Sequence, residues 1–313
     1  MIEFKKPRFW DFKKPNFIAH LLLPLTIPLI ISNFLLGLKK KKKDINLKKI
    51  CIGNIYVGGT AKTPLTIKIY EILNNLDFNT ATIKKFYKSH EDEQSLLKKK
   101  TKLYCFKSRN EALTEAIKNH TDVVIFDDGL QDKHMEYDLK FVCFNNIKFI
   151  GNGFLIPAGP LREKIESIKK YDAVFINGNV KDNSNLKLLI KKYNNDIRIF
   201  ETFYEPTNLD QFNTEERYLI FSGIGNPESF KETLINHNLN VIKEVIFPDH
   251  YKYNMNDIRN IKLQAKNLNA KIITTEKDYT KIKLMENNEI QFLKIDINIK
   301  NENKLINYLK QNI

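Results

Sequence analysis

Cysteine is scarce in this chain. There are three, Cys51, Cys105 and Cys143, each inside an apolar run and none in a C-x-x-C pair. That spacing excludes a disulfide framework, and reduced, buried thiols in the cytosol are the expectation. Glycine and proline are thin as well, 11 and 10 among 313 residues, so the places where they gather carry information. No internal repeat or extended disordered segment is present. Acidic residues are outnumbered, 37 Asp/Glu against 51 Lys/Arg, for a formal charge of +14. The surplus is local. Residues 1–49 hold 12 basic and 3 acidic side chains, a net of +9, which leaves only +5 for all the rest. A basic excess beside an apolar segment suits anionic lipid better than nucleic acid, and no nucleic-acid partner is expected.

What is present begins with that segment. Phe17 to Leu38 is a 22-residue stretch without a formal charge. As a straight helix it would reach roughly 33 Å, about the hydrocarbon thickness of a bilayer. Pro24 and Pro28 argue against a straight helix, and His20 and Asn33 lower its hydrophobicity. Basic residues on both flanks fit a segment dipping into one leaflet at least as well as a span. Residues 1–38 are therefore read as a membrane-associated segment, and inner-membrane lipids as partners.

The chain is organised around Ile50 to Pro64. An apolar run from Ile50 to Ile55 reads as a buried strand. A loop with Gly58 and Gly59 follows, then Lys62-Thr63-Pro64, then Leu65, Ile69, Ile72, Leu73 and Leu76 at helical spacing. Strand, glycine loop, Lys-Thr and helix form a P-loop arrangement. Backbone N–H groups over Tyr56, Val57, Gly58, Gly59, Thr60 and Ala61 would face the phosphates of ATP, Lys62 would reach the outer phosphates, and the Thr63 hydroxyl would meet Mg²⁺. Tyr56 stands where the first glycine of that pattern belongs, and Ala61 replaces the glycine before the lysine, so Ala61 is expected to avoid positive φ.

Further along, Val123 to Phe126 ends in Asp127-Asp128-Gly129. Carboxylates at the carboxyl end of a buried strand are what a P-loop enzyme uses to hold Mg²⁺, and ligands gather at that edge of open α/β sheets. The cluster His90-Glu91-Asp92-Glu93 reads by itself as a solvated loop, and Ser108 to Glu111 as a capping box opening a helix. The run from Gly151 to Glu163, rich in Gly and Pro and carrying Arg162-Glu163, reads as a loop built to meet a ligand, with a plain connector as the alternative. A polar stretch near Tyr204 to Arg217 marks a hinge, after which a second series of strands and helices begins at Tyr218. Alternating strands and helices predict two parallel-sheet α/β domains, a P-loop domain over residues 39–205 and a smaller one over 206–313.

Taken in order, several stretches resemble the tetraacyldisaccharide 4′-kinase family, the lipid A 4′-kinases. They are Gly53-Asn54 with Val57 through Pro64, Asp127-Asp128-Gly129-Leu130-Gln131, Gly151-Asn152-Gly153 with Pro157 through Glu163, Gly223 through Pro227, Phe247-Pro248-Asp249-His250, and Thr275-Glu276-Lys277-Asp278. The resemblance implies ATP-dependent phosphorylation of the 4′-hydroxyl of an acylated glucosamine disaccharide 1-phosphate. It places the protein at the cytosolic face of the inner membrane, as a peripheral, monotopic or single-span protein, and calls for no obligate protein partner. It implies ATP and Mg²⁺, a smaller domain closing over the site, Asp92 as catalytic carboxylate and His250 as its partner. Glu93, Gln131, Asn152, Arg162 and Glu163 would contact substrate or phosphate. The chain departs from the family where Lys85-Phe86-Tyr87 replaces Arg-Gly-Tyr, where Asp132 replaces a histidine, and where Glu91-Asp92-Glu93-Gln94 replaces Gly-Asp-Glu-Pro. Glu91 or Glu93 would serve if Asp92 does not. The rival reading is a membrane-tethered P-loop ATPase switch acting on a protein partner.

Overall fold

The computed structural model describes residues 6–37, 47–132, 134–178, 182–249, 251–282, 285 and 288–313. It is a mixed α/β structure that separates into two compact units. The first comprises Met1–Phe86, Lys100–Phe203 and Asn298–Ile313, and the second Tyr87–Lys99 and Tyr204–Ile297.

The strands of the first unit are β1 (Lys48–Gly53), β2 (Thr80–Lys85), β3 (Leu103–Phe106), β4 (Val123–Asp127), β5 (Leu139–Asn145), β6 (Ala173–Asn177) and β7 (Arg198–Pro206), the last running on past Phe203. β1, β4 and β6 are apolar runs buried almost throughout, as strands covered on both faces must be. Their order in the sheet is β7-β6-β5-β1-β4-β2-β3, and every neighbouring pair is parallel. β1 therefore lies between β4 and β5, with Ile52 opposite Asp127. That register delivers the loop after β1 and the carboxylates after β4 to one sheet edge. The helix between β1 and β2, Lys62–Asn74, buries Leu65, Ile69, Ile72 and Leu73, the expected stripe. It stops short of Leu76. The three cysteines are free, and burial pushes each thiol above its ordinary range.

The second unit is built on β8 (Arg217–Ser222), β9 (Asn240–Ile246), β10 (Lys271–Thr275) and β11 (Ile290–Leu293), in the order β11-β10-β8-β9 and all parallel. Its core gathers Leu219, Phe221, Ile258, Ile261 and Ile272 on one side and Tyr218, Ile220, Phe230, Leu234 and Ile273 on the other.

Two stretches fall on different sides of the division from those a boundary at 205/206 implies. The acidic cluster is not a loop: Glu91–Lys100 is a helix, and residues 87–99 belong to the second unit. Asp92 in that helix pairs with Lys277 and Lys281, and Leu97 is its one buried apolar side chain, too little for an apolar pattern to read. At the other end, β12 (Ile295–Ile299) takes the outer place beside β7, and helix Glu302–Asn312 returns to the first unit. Leu305 and Leu309 are buried, and the Tyr308 ring lies against Phe141 and Phe200, 6.3 and 6.2 Å between centroids.

The N-terminal apolar segment breaks where its prolines require. Phe17–Leu21 and Ile27–Gly37 are helices joined by a 3₁₀ turn, Leu23–Thr26, with Pro24 in that turn and Pro28 in the first turn of the second helix. No helix among the described residues is long and apolar enough to cross a membrane. Phe17 is 82% exposed, and Ile18, Leu21, Leu25, Ile27, Ile31 and Leu35 are exposed with it. The residues just before are not a separate layer. Trp10 is buried, its indole N–H donates to the Pro157 carbonyl (3.0 Å), and its own carbonyl accepts the Asn152 N–H (2.9 Å).

Candidate active site

The phosphate loop is folded by the buried Asn54, which follows β1. Its side-chain amide donates to the Gly58 carbonyl (3.3 Å) and to Thr60 Oγ1 (3.0 Å). Two backbone bonds, Val57 N–H to the Pro160 carbonyl (2.9 Å) and Arg162 N–H to the Ile55 carbonyl (2.7 Å), lay the 151–163 loop alongside. Within that loop Gly159 has no room for a side chain: a Cβ there would stand 2.1 Å from Asn152 Oδ1 and 2.4 Å from the Phe154 carbonyl oxygen. Among the described residues, no protein acceptor takes the backbone N–H groups of Gly58 to Thr63. Such a row of unsatisfied donors at a helix start is an anion site.

Ala61 corrects the sequence expectation. It adopts φ +64°, ψ +23°, the left-handed conformation, directly before the helix. The turn demands that geometry, and the methyl group tolerates it at a cost of about 1 kcal/mol.

Lys62 opens the helix, its ammonium 3.9 Å from Asp128 Oδ1. The Thr63 hydroxyl donates to Asp127 Oδ2 (2.9 Å), and the Thr66 hydroxyl reaches Asp127 Oδ1 (3.4 Å). Asp127 is also paired at 2.6 Å with Lys84 Nζ, both side chains almost wholly buried. Asp128, at φ +58°, faces Arg162, whose Nη1 lies 3.1 Å from Oδ1. Burial alone would raise the Asp128 pKa. Lys62, Arg162, Lys84 and Arg109 outweigh it and hold the carboxyl well below the usual range, so Asp128 is ionised at any physiological pH.

Arg162 is itself oriented. Gln131 accepts from its Nη1 (3.1 Å) and donates to Glu163 Oε1 (3.2 Å) and to the Asn54 carbonyl (2.9 Å). Glu163 accepts from the Tyr171 hydroxyl (3.2 Å). Lys62, Thr63, Asp127, Asp128, Gln131, Arg162 and Glu163 thus form one connected cluster. Two other predicted residues face elsewhere. The Tyr56 side chain is buried against Leu155 and Leu161, with its hydroxyl on Lys6 and Asp11. The Asn152 amide binds the carbonyls of Ala158 (3.0 Å) and Phe9 (3.4 Å), bracing its loop. Asp92 and Glu93 lie in the first turn of the 91–100 helix, in the second unit, and His250 lies outside the described residues.

Sequence reasoning missed Lys84 and Arg109. Arg109 donates to the Asp128 carbonyl (2.6 Å) and pairs with Asp132 (3.0 Å), the residue that departs from the family pattern. Its neighbour Ser108 does cap the helix Arg109–Lys118, accepting from the Asn110 N–H (3.2 Å). The signal for Lys84 was a lysine at the end of an apolar strand, where an ammonium must find a counter-charge.

The family model described as tetraacyldisaccharide-1-P 4′-kinase matches residues 19–94 and 89–313. The tetraacyldisaccharide 4′-kinase of Pelagibacter ubique (strain HTCC1062) is 46% identical over 310 residues, covering 98% of each chain. That of Rickettsia canadensis (strain McKiel) is 35% identical over 323 residues, covering 97% of this chain and 96% of the relative. Among solved structures, the "apo" form of LpxK from Aquifex aeolicus in complex with ATP superposes with a TM-score of 0.67 at 23% identity, over 94% of this chain and 99% of that one, a likeness of fold. A matching family model over most of the chain, and full-length relatives on both sides of 40% identity, agree with the phosphate-loop cluster: the chain belongs to the tetraacyldisaccharide 4′-kinase family.

Proposed function

We propose that the chain transfers the γ-phosphoryl group of ATP to the 4′-hydroxyl of a tetraacylated glucosamine disaccharide 1-phosphate, a step of lipid A biosynthesis, at the cytosolic face of the inner membrane. The observation that carries this reading is the cluster at the edge of the large sheet, where Lys62, Thr63, Asp127, Asp128 and Arg162 converge beside unsatisfied backbone donors. Phosphoryl transfer asks little covalent chemistry of a protein. It asks for positioning and for charge placed where charge develops.

The backbone N–H groups of Gly58 to Thr63 hold the phosphates, and Lys62 draws charge from the outer ones. The Thr63 hydroxyl and the Asp127 and Asp128 carboxylates are hard oxygen donors. They suit Mg²⁺, which takes one or two protein carboxylates and completes its shell with phosphate and water. Bound there, Mg²⁺ would neutralise charge on the β- and γ-phosphates. Lys84 holds the Asp127 carboxylate in place through its ion pair, and Gln131 and Glu163 keep Arg162 in place as a second cation.

Asp92 supplies the base. A sugar hydroxyl is a weak acid and a free aspartate has a pKa of about 3.9, so full deprotonation before attack is excluded. The carboxylate orients the hydroxyl and takes its proton late, as the bond from O4′ to phosphorus forms and the bond to the ADP oxygen breaks. His250 is assigned as the partner of this carboxylate. The exposed apolar side chains of residues 17–35 seat the protein at the bilayer where the acylated substrate resides.

The test is Asp92→Ala. Turnover should fall by about 10²–10⁴-fold, the usual reach of a general base, with ATP affinity little changed. A fully active variant would move the base to Glu91 or Glu93.

A further inference from the structure

The stretch Thr275-Glu276-Lys277-Asp278 marks the family but has no role in the chemistry above. It forms the turn from β10 into helix Glu276–Ile282. Asp278 is fully buried and accepts from the Gly223 N–H (2.9 Å) and the Thr275 hydroxyl (2.8 Å), which pins the start of that helix. Lys277 and Lys281, one turn apart, then share a helix face. Both point at one carboxylate. Asp92 Oδ2 is 3.1 Å from Lys277 Nζ and 3.6 Å from Lys281 Nζ, while Oδ1 accepts the Glu93 N–H (2.8 Å). All of these residues lie within the second unit.

We propose that Lys277, seconded by Lys281, is a positioning residue for the reaction: it holds the Asp92 carboxylate ionised and fixed in direction. The proposal rests on the reading of Asp92 as the base. A carboxylate this deeply buried is stable only when paired, and without a cation it would protonate and cease to accept a proton. Among the described residues, other charges face the same two lysines. Lys277 also faces Asp249 (3.5 Å) and Glu93 (4.0 Å), and Lys281 faces Asp278 (2.9 Å), the Gly223 carbonyl (3.4 Å) and the ring of Tyr253 (5.8 Å). Lys99 and Glu276 pair alongside at 3.5 Å. Burial opposes the Lys277 charge, but Asp249, Asp92 and Glu93 raise its pKa above the ordinary lysine value, so the cation is permanent at working pH. Because the pinned turn fixes the helix, the ammonium sets the carboxylate's direction as well as its charge.

The test reads the acid side of the pH profile. kcat/KM for glycolipid at saturating MgATP is measured for the full-length protein and for Lys277→Met, Lys277→Arg, Lys281→Met and Asp92→Asn. A neighbouring cation lowers an aspartate pKa by 1–3 units, so removing it raises that pKa. In Lys277→Met the acid limb should start about 1 pH unit higher, with binding of a fluorescent ATP analogue unchanged. Lys277→Arg should restore the wild-type limb. Lys281→Met, removing the more distant cation, should shift the limb in the same direction by less, and it carries the test if Lys277→Met does not fold. An acid limb left in place by both methionine variants, whatever their activity, would overturn the proposal and leave Lys277 a packing residue. Asp92→Asn separates the two readings: full turnover in that variant refutes the base, independently of any lysine.

Discussion

Ala61 carries a methyl group in a conformation that favours glycine. At φ +64° its Cβ crowds the following peptide, and the cost is about 1 kcal/mol. Ala61→Gly should therefore raise the free energy of unfolding by about 1 kcal/mol in denaturant melts, the reverse of what glycine does at ordinary backbone angles. A less stable glycine variant would contradict the strain. Lys62, Thr63, Asp127 and Asp128 were legible in the sequence because each sits at a fixed step from a strand end, and a strand end is a local signal. Lys84 and Arg109 were not. Their meaning depends on β2 lying beside β4 and on the 109–118 helix reaching the turn after β4, pairings between segments distant in sequence. Ala61 was misjudged for the opposite reason: its residue type was read without the turn that overrules it.

At the scale of elements, unbroken apolar strands declared themselves and polar or interrupted elements did not. β11 and β12 are broken by Gln291, Asp296 and Asn298, unlike the equally short but wholly apolar run Val123 to Phe126, and the 91–100 helix buries Leu97 and Asp92 alone, too few positions for a helical stripe. The N-terminal helices are the element whose function is read from exposure. Removing residues 1–38 would also remove Trp10, whose indole and carbonyl brace the loop carrying Asn152 and Pro157, so deletion would confuse anchoring with folding. Substituting the exposed face is cleaner. Phe17→Glu, Leu21→Glu and Leu25→Glu together replace apolar groups by charge at exposed positions. The triple variant should keep the ATP affinity and melting behaviour of the wild type while losing sedimentation with anionic vesicles in high salt. High salt matters because the flanking lysines would otherwise hold it electrostatically. Unchanged sedimentation would refute the bilayer seating.

At the scale of the molecule, two parallel α/β sheets are arranged as the alternation of strands and helices implied, but the chain does not divide at one point. It passes between the units at four places, after Phe86, Lys99, Phe203 and Ile297. A single boundary is the natural reading of a composition shift, and a composition shift cannot register a helix lent by one stretch to another unit. Phosphoryl transfer from ATP, through the cluster at Lys62, to a glycolipid hydroxyl is the proposed work of the whole molecule. Mass spectrometry of tetraacyldisaccharide 1-phosphate incubated with protein, ATP and Mg²⁺ tests it most directly. The wild type should convert the glycolipid to a species carrying one added phosphate at the 4′ position, and Lys62→Ala, folded as the wild type is, should do so at least about 10²-fold more slowly. A wild-type protein that hydrolyses ATP and leaves the glycolipid mass unchanged, or a Lys62→Ala variant with near-normal turnover, would contradict it.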